Sequence, residues 1–344
     1  MKYRSIYVIV VFVFIAGICF HFWLRSQNTK TGVFEYKKEQ AVLKYILDSE
    51  GSKAMYAHVL SSYTTYDPIA VHDLMHWVGE ALYKHDGTQG LAVCDDSYNW
   101  GCYHGFFGRA LAQEGKPYLL QLEGICQKVQ RKSYAINGCF HGIGHGLLTY
   151  AGGYDYEHLT VALHDCDTLT IRKDQTACYN GVFMEYNLRT MQGTEEGTGV
   201  QRSFDPKNPT DPCNRLDIRY QKDCYFEQTD WWRIVMNRDF TAMGVYCNQV
   251  PDDQAKEGCF RGIGRAIWGE SKFIPEKALK TCKSALAAAG VWPCVSIVAE
   301  EILVKEKSLT DAMPICTALD NSVQKTCEDH IKKFLCEDLS VCGK

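Results

Sequence analysis

Cysteine recurs in this chain as a metre, and a metre of cysteines narrows the possible folds more than any other feature of it. Gly101-Cys102-Tyr103-His104-Gly105, Gly138-Cys139-Phe140-His141-Gly142, Cys178-Tyr179-Asn180-Gly181 and Gly258-Cys259-Phe260-Arg261-Gly262 are copies of one phrase, which Cys224, Cys294 and Cys327 continue in degraded form. Each is preceded by a partner, at Cys94, Cys126, Cys166, Cys213, Cys247, Cys282 and Cys316. A tandem unit of about 33–47 residues, stapled once per unit, therefore organises nearly the whole chain. Within a unit the two cysteines lie 8 to 13 residues apart, which suits a bridge closing the turn of a helical hairpin. Cys336 and Cys342 remain as a tight pair that reads as a terminal cap.

Strand signatures are sparse, so the expected fold is all-α: a disulfide-stapled α-α helical repeat solenoid behind an N-terminal transmembrane helix. The divisions are a short cytoplasmic end (1–5), a transmembrane signal anchor (6–24), juxtamembrane helices (25–62) and a Cys-stapled repeat domain (63–344). Ile6 to Leu24 is a 19-residue, mainly apolar run, long enough to cross a bilayer. Basic residues flank it on both sides, so charge does not orient it, but sixteen cysteines beyond it place the body in an oxidising compartment. No small-x-small cleavage site follows the run, which favours a retained anchor over a removed signal. Within the repeat domain each unit is read as a first helix ending near a cysteine and a second helix opening at the next. An inserted loop at 191–212, rich in Gly, Pro, Glu and Thr, breaks the metre and reads as exposed. The net charge is −4, and residues 1–30 hold four basic side chains and no acidic ones. The body is therefore more acidic still, and nucleic acid is excluded as a partner.

The functional signal rides on the metre. Two and six residues after each second-helix cysteine lie positions one turn apart that point the same way. In the second unit they hold His104 and Gly108, in the third His141 and His145. The first unit has Ala70 in place of the cysteine, yet carries His72 and His76 in the same register. His-x-x-x-His on a helix sets two imidazoles on one side, a common way to hold a divalent transition metal (Zn, Fe or Cu). Thiolate ligands are unavailable because the spacing assigns the cysteines to bridges. A straight array of units predicts separate ions or a site divided around His104, and tight superhelical closure one site with up to five histidines. Because His104 lacks a turn-mate and reads as the bridge between the two pairs, convergence is the expectation. Asp73, Glu80 and Glu185 are the candidate proton-transfer groups. Later units carry Arg261 and Arg265 in the register, candidates for binding an anion or a partner. His158 and His164 fall outside it and read as cap or surface residues. The doublets His72-Asp73 and His164-Asp165 resemble those of metal-dependent phosphohydrolases, but those enzymes are compact helical domains without a cysteine-paired repeat.

Two functions fit these residues. One is a membrane-anchored exported protein with a histidine metal site in its first three repeats, a metalloenzyme if the metal activates water or oxygen. The other is an extracytoplasmic scaffold or receptor whose concave face holds a protein, peptide or glycan without metal. Replacing the histidines separates them.

Overall fold

A computed structural model describes residues 35–66, 68–129, 135–191, 202–306 and 308–337. The expected cytoplasmic end (1–5) and membrane segment (6–24) lie outside the described residues. Among the described residues no helix is long and apolar enough to cross a membrane, and none is in a strand.

Among the described residues fifteen α-helices follow one another. Tyr36–Glu50 (α1) and Ser52–Ser62 (α2) lead into Pro68–Asp86 (α3), which opens on a first-turn proline, where no amide hydrogen is missed. Gly101–Glu114 (α4) follows. Three full hairpins or parts of them come next: Leu119–Val129 (α5) with Ala135–Ala151 (α6), Tyr156–Cys166 (α7) with Arg172–Met191 (α8), then Ile218–Val235 (α9) alone. Phe240–Asn248 (α10) with Asp253–Glu270 (α11), Pro275–Ala285 (α12) with Ala288–Glu306 (α13), and Leu309–Thr317 (α14) with Asn321–Glu337 (α15) complete the chain.

The architecture follows from helix length. The first helices of the hairpins are short and the second helices long, so the long helices α3, α4, α6, α8, α9, α11, α13 and α15 stack on one another as a continuous row. The short helices α5, α7, α10, α12 and α14 flank that row, each against its own long partner. Two units depart from the expected hairpin. A 3-10 turn, Gly87–Val93, stands where the unit of α4 should have a first helix, and Cys213–Arg215 does the same for α9. The segments before them are too short, or too rich in glycine and proline, to hold a stable α-helical turn.

The seven bridges pair as the spacing implies: Cys94–Cys102, Cys126–Cys139, Cys166–Cys178, Cys213–Cys224, Cys247–Cys259, Cys282–Cys294 and Cys316–Cys327. Their Cα atoms lie 5.4 to 6.0 Å apart, ordinary for a disulfide. Cys342, the expected partner of Cys336, lies outside the described residues. The second helices begin earlier than expected. From α8 onward each starts about six residues before its cysteine, and aspartates do some of the starting. Asp217 accepts from the Arg219 amide and Asp252 from that of Ala255, caps that contribute about 1 kcal/mol each. The cysteine therefore sits in the second turn, and the aromatic residue after it points inward: Tyr103, Phe140, Tyr179, Tyr225 and Phe260 are all buried.

The inserted segment also differs from expectation in the part that is described. Residues 192–201 lie outside the described residues, but 202–212 docks onto α9 instead of standing free. Trp232 Nε1 donates to the Pro209 carbonyl and Gln228 Nε2 to the Asp211 carbonyl, each at 2.9 Å. The Arg202 guanidinium lies 3.6 Å over the Trp231 ring. A loop without its own core gains order by giving its carbonyls to buried donors of a neighbouring helix.

Candidate metal centre

The histidine-bearing helices approach one another closely because glycine lines their contacts. A Cβ at Gly105 of α4 would collide with the His76 carbonyl of α3, and one at Gly146 of α6 with the Phe107 carbonyl of α4. With no side chain at those two points, the backbones come near enough for imidazoles on successive long helices to meet.

They meet in two triads. His72 Nε2 lies 3.0 Å from His76 Nε2, and His76 Nε2 lies 3.1 Å from His104 Nδ1. His141 Nε2 lies 3.0 Å from His145 Nε2. The His145 ring stacks on that of His104 with centroids 4.1 Å apart. Donor atoms of His72, His76 and His104 lie within 4.8 Å of one another, as do those of His104, His141 and His145. The expectation that all five converge as one shell is thus corrected: His104 joins two overlapping groups. The reason is geometric, since α3 and α6 flank α4 on opposite sides and each approaches its own side of the His104 ring. His104, His141 and His145 are 4%, 6% and 3% exposed, whereas His72 and His76 are half-buried.

Neighbouring groups orient the rings. His72 Nδ1 lies 2.7 Å from the Tyr98 carbonyl, to which it donates, so that its Nε2 faces the cluster. That carbonyl is presented by a turn in which Tyr98, Asn99 and Trp100 all have left-handed backbones, with φ of 50°, 52° and 59°. Residues other than glycine occupy that region at a cost, and such strain concentrates where a fixed group is needed. His145 Nδ1 lies 2.8 Å from Glu185 Oε2, and the hydroxyls of Thr149 and Tyr154 approach Glu185 Oε1. A carboxylate or carbonyl behind a histidine fixes its tautomer and aims the other nitrogen forward, the arrangement found behind most metal-ligating histidines. One nitrogen is left over. His104 Nε2 is buried and has no hydrogen-bond partner, where buried polar atoms are nearly always satisfied.

Burial drives the His104 and His141 pKa values well below the ordinary 6.5, and repulsion from neighbouring cationic groups adds to it. His72 is lowered too, again chiefly by burial. Burial thus favours the neutral form of His72, His104 and His141, the form that ligates metal. The sign of the stability effect follows. Below 6.5 the unfolded chain takes up protons that folded His104 and His141 refuse, so metal-free protein loses stability as the pH falls. The loss should be read as a fall in the urea midpoint between pH 7.5 and 5.5 with a chelator present. A His104→Gln/His141→Gln variant should show a flatter profile; an equally steep one would contradict the assignment.

The other candidates fall differently. Glu185 belongs to the cluster. Asp73 is exposed and reaches His72 only through its field, while Glu80 pairs with Lys84 at 3.3 Å on the surface. Neither joins a triad: Asp73 is turned round α3 from His72, and Glu80 lies a turn beyond His76, engaged with Lys84. His158 Nδ1 pairs with Asp155, the N-cap of α7, at 2.7 Å, and His164 is exposed.

Arg261 and Arg265 require a correction as anion-binding candidates. Arg261 grips both Glu300 oxygens, at 2.9 and 2.8 Å, and Arg265 grips those of Glu227, at 3.0 and 2.7 Å, with Asp230 at 2.7 Å. His330 Nε2 adds a contact of 2.6 Å to Glu300. The guanidinium forks are taken up by carboxylates of this chain, because desolvated charges on packed helices must find partners. Glu300 and Asp230 occupy the same register slots as the histidines, so their opposite sign in neighbouring units was a legible signal of pairing. Glu227 and His330 lie one residue beyond a slot and give none.

No protein-family model, curated protein or solved structure matches this chain. Fold and cluster together define its class: an all-helical, disulfide-stapled protein with a buried histidine triad that could hold a metal ion. The bridges point to an oxidising, extracytoplasmic setting.

Proposed function

We propose that this is a membrane-tethered, extracytoplasmic helical-repeat metalloprotein that holds a divalent transition ion on His104, His141 and His145, with His72 and His76 as a second tier. The observation that carries the reading is His104 Nε2, a buried nitrogen without a partner beside two imidazoles whose Nε2 atoms lie 3.0 Å apart. An ion satisfies it, and the spacing of neutral nitrogens suits zinc, iron or copper better than hard cations. Glu185 serves as a positioning residue: its carboxylate is engaged with His145 and is not free to act as a general base. When bound, the ion would supply Lewis acidity toward water or a carbonyl.

Metal analysis of the exported body, purified without a histidine tag, tests this directly. One equivalent of zinc, iron or copper per chain is the expected result. A folded protein that neither carries nor takes up any of these ions would end the metal reading and leave the scaffold that binds a protein, peptide or glycan. The tether rests on residues 6–24. Full-length chain should fractionate with membranes, and a soluble form starting near residue 26 would instead mean a cleaved signal.

A further inference from the structure

The two triads share one side chain, and the chemistry of that side chain sets how they work together. A neutral imidazole has one nitrogen with a free lone pair and one that bears a proton. His104 can therefore ligate in one triad at a time. Its two nitrogens are not equivalent here. Nδ1 faces His76 Nε2 at 3.1 Å, so an ion held with His72 and His76 is met by Nδ1. The proton then sits on Nε2, buried and with no acceptor. With Nδ1 turned to His76, the nitrogen left for an ion held with His141 and His145 is Nε2, and Nδ1–H would then donate to His76. Only the second arrangement satisfies both nitrogens of His104. The triads also differ in access. All three members of the inner group are buried, whereas the outer pair is half-buried and so the more accessible to solvent.

Building on the metal reading above, we infer that His72 and His76 form a loading station, which captures one divalent ion with His104 Nδ1 and passes it to the inner triad as His104 changes nitrogen. The transfer is ligand exchange without redox change. The ion leaves Nδ1 and binds Nε2; the Nε2 proton is lost to water that enters with the ion, and Nδ1 is reprotonated from water on the side of His72 and His76, so the net proton count is unchanged. The chain holds a single ion, resting inside. The strained Tyr98–Trp100 turn has a place in this scheme, since its carbonyl keeps His72 Nε2 aimed at the incoming ion.

Zinc-loaded full-length chain in detergent provides the test, with metal content measured first and then the rate of zinc removal by excess EDTA. Glutamine in place of histidine keeps much of the side-chain volume, so the double variant His72→Gln/His76→Gln leaves no open channel. Wild type should hold one zinc. The double variant should also hold one, but load and release it about tenfold more slowly or worse, the scale on which metal handling responds to a lost partner. With cobalt in place of zinc, its visible absorption should match wild type, because the resting ligands are intact. His141→Gln/His145→Gln should release its ion faster than wild type. Two zinc ions per wild-type chain would overturn the inference in favour of independent sites. Unchanged or faster release from the His72→Gln/His76→Gln variant would overturn it as well, marking the pair as bystanders or as ligands of the resting ion. Zero zinc in wild type would remove the metal reading itself.

Discussion

His104→Ala should strip the protein of bound metal, lowering affinity by more than about 100-fold, since even loss of a group behind a ligand costs 10–100-fold. The argument is positional. His104 is the member common to both triads, so no rearrangement of the remaining four histidines rebuilds a three-nitrogen group within either set. The alternative pairs, His72 with His76 and His141 with His145, are each left as two ligands on one helix. His158→Ala is the matched control, because that residue caps α7 with Asp155 at an exposed site and should leave metal content unchanged. Competition with a chromogenic chelator measures both. Full metal retention in a His104→Ala/His141→Ala/His145→Ala triple variant would refute the site outright.

Reduction of the seven bridges should unfold the body altogether at 25 °C. Each closes a loop of 8 to 13 residues and contributes about 2–4 kcal/mol, chiefly by restricting the unfolded chain. A folded domain has only about 5–15 kcal/mol in hand, so losing the whole set exceeds the total stability. Helicity by circular dichroism and resistance to limited proteolysis should both collapse under excess reductant. The same loss is expected when the chain is made in a reducing cytosol. A reduced protein that keeps its native melting temperature would show that packing alone holds the stack, and would weaken the placement outside the cytosol. The unit of α3 has no bridge of its own, Ala70 standing in the cysteine position, so it depends on packing against α4 and on any ion that His72 and His76 share with His104.

The bridges were legible because they are local. A short turn between two helices brings residues about a dozen apart into contact whatever the rest of the molecule does, so Cys247 and Cys259 name each other by spacing. The same is true of His72 with His76 and of His141 with His145, where helical periodicity alone sets both rings on one face. Glu185 was legible as a carboxylate near the cluster, but Asp73 and Glu80 were equally plausible by that measure and lie elsewhere. Asp73 is turned round α3 from His72, and Glu80 lies one turn beyond His76, paired with Lys84, differences that a count of residues to the nearest histidine does not register.

Sequence by itself determined the class of fold, the bridge pairing and the identity of the five clustered histidines, since each depends on periodicity within a unit or on its repetition between units. Only the tertiary structure decided how the units meet. It split the histidines into two triads about His104, set the Tyr98 carbonyl behind His72, matched Arg265 to Glu227 and Arg261 to Glu300, and folded residues 202–212 against α9. These contacts depend on how closely glycine lets neighbouring helices approach and on small rotations between units that accumulate along the row. Both are properties of the packed stack, and no single unit carries them in its sequence.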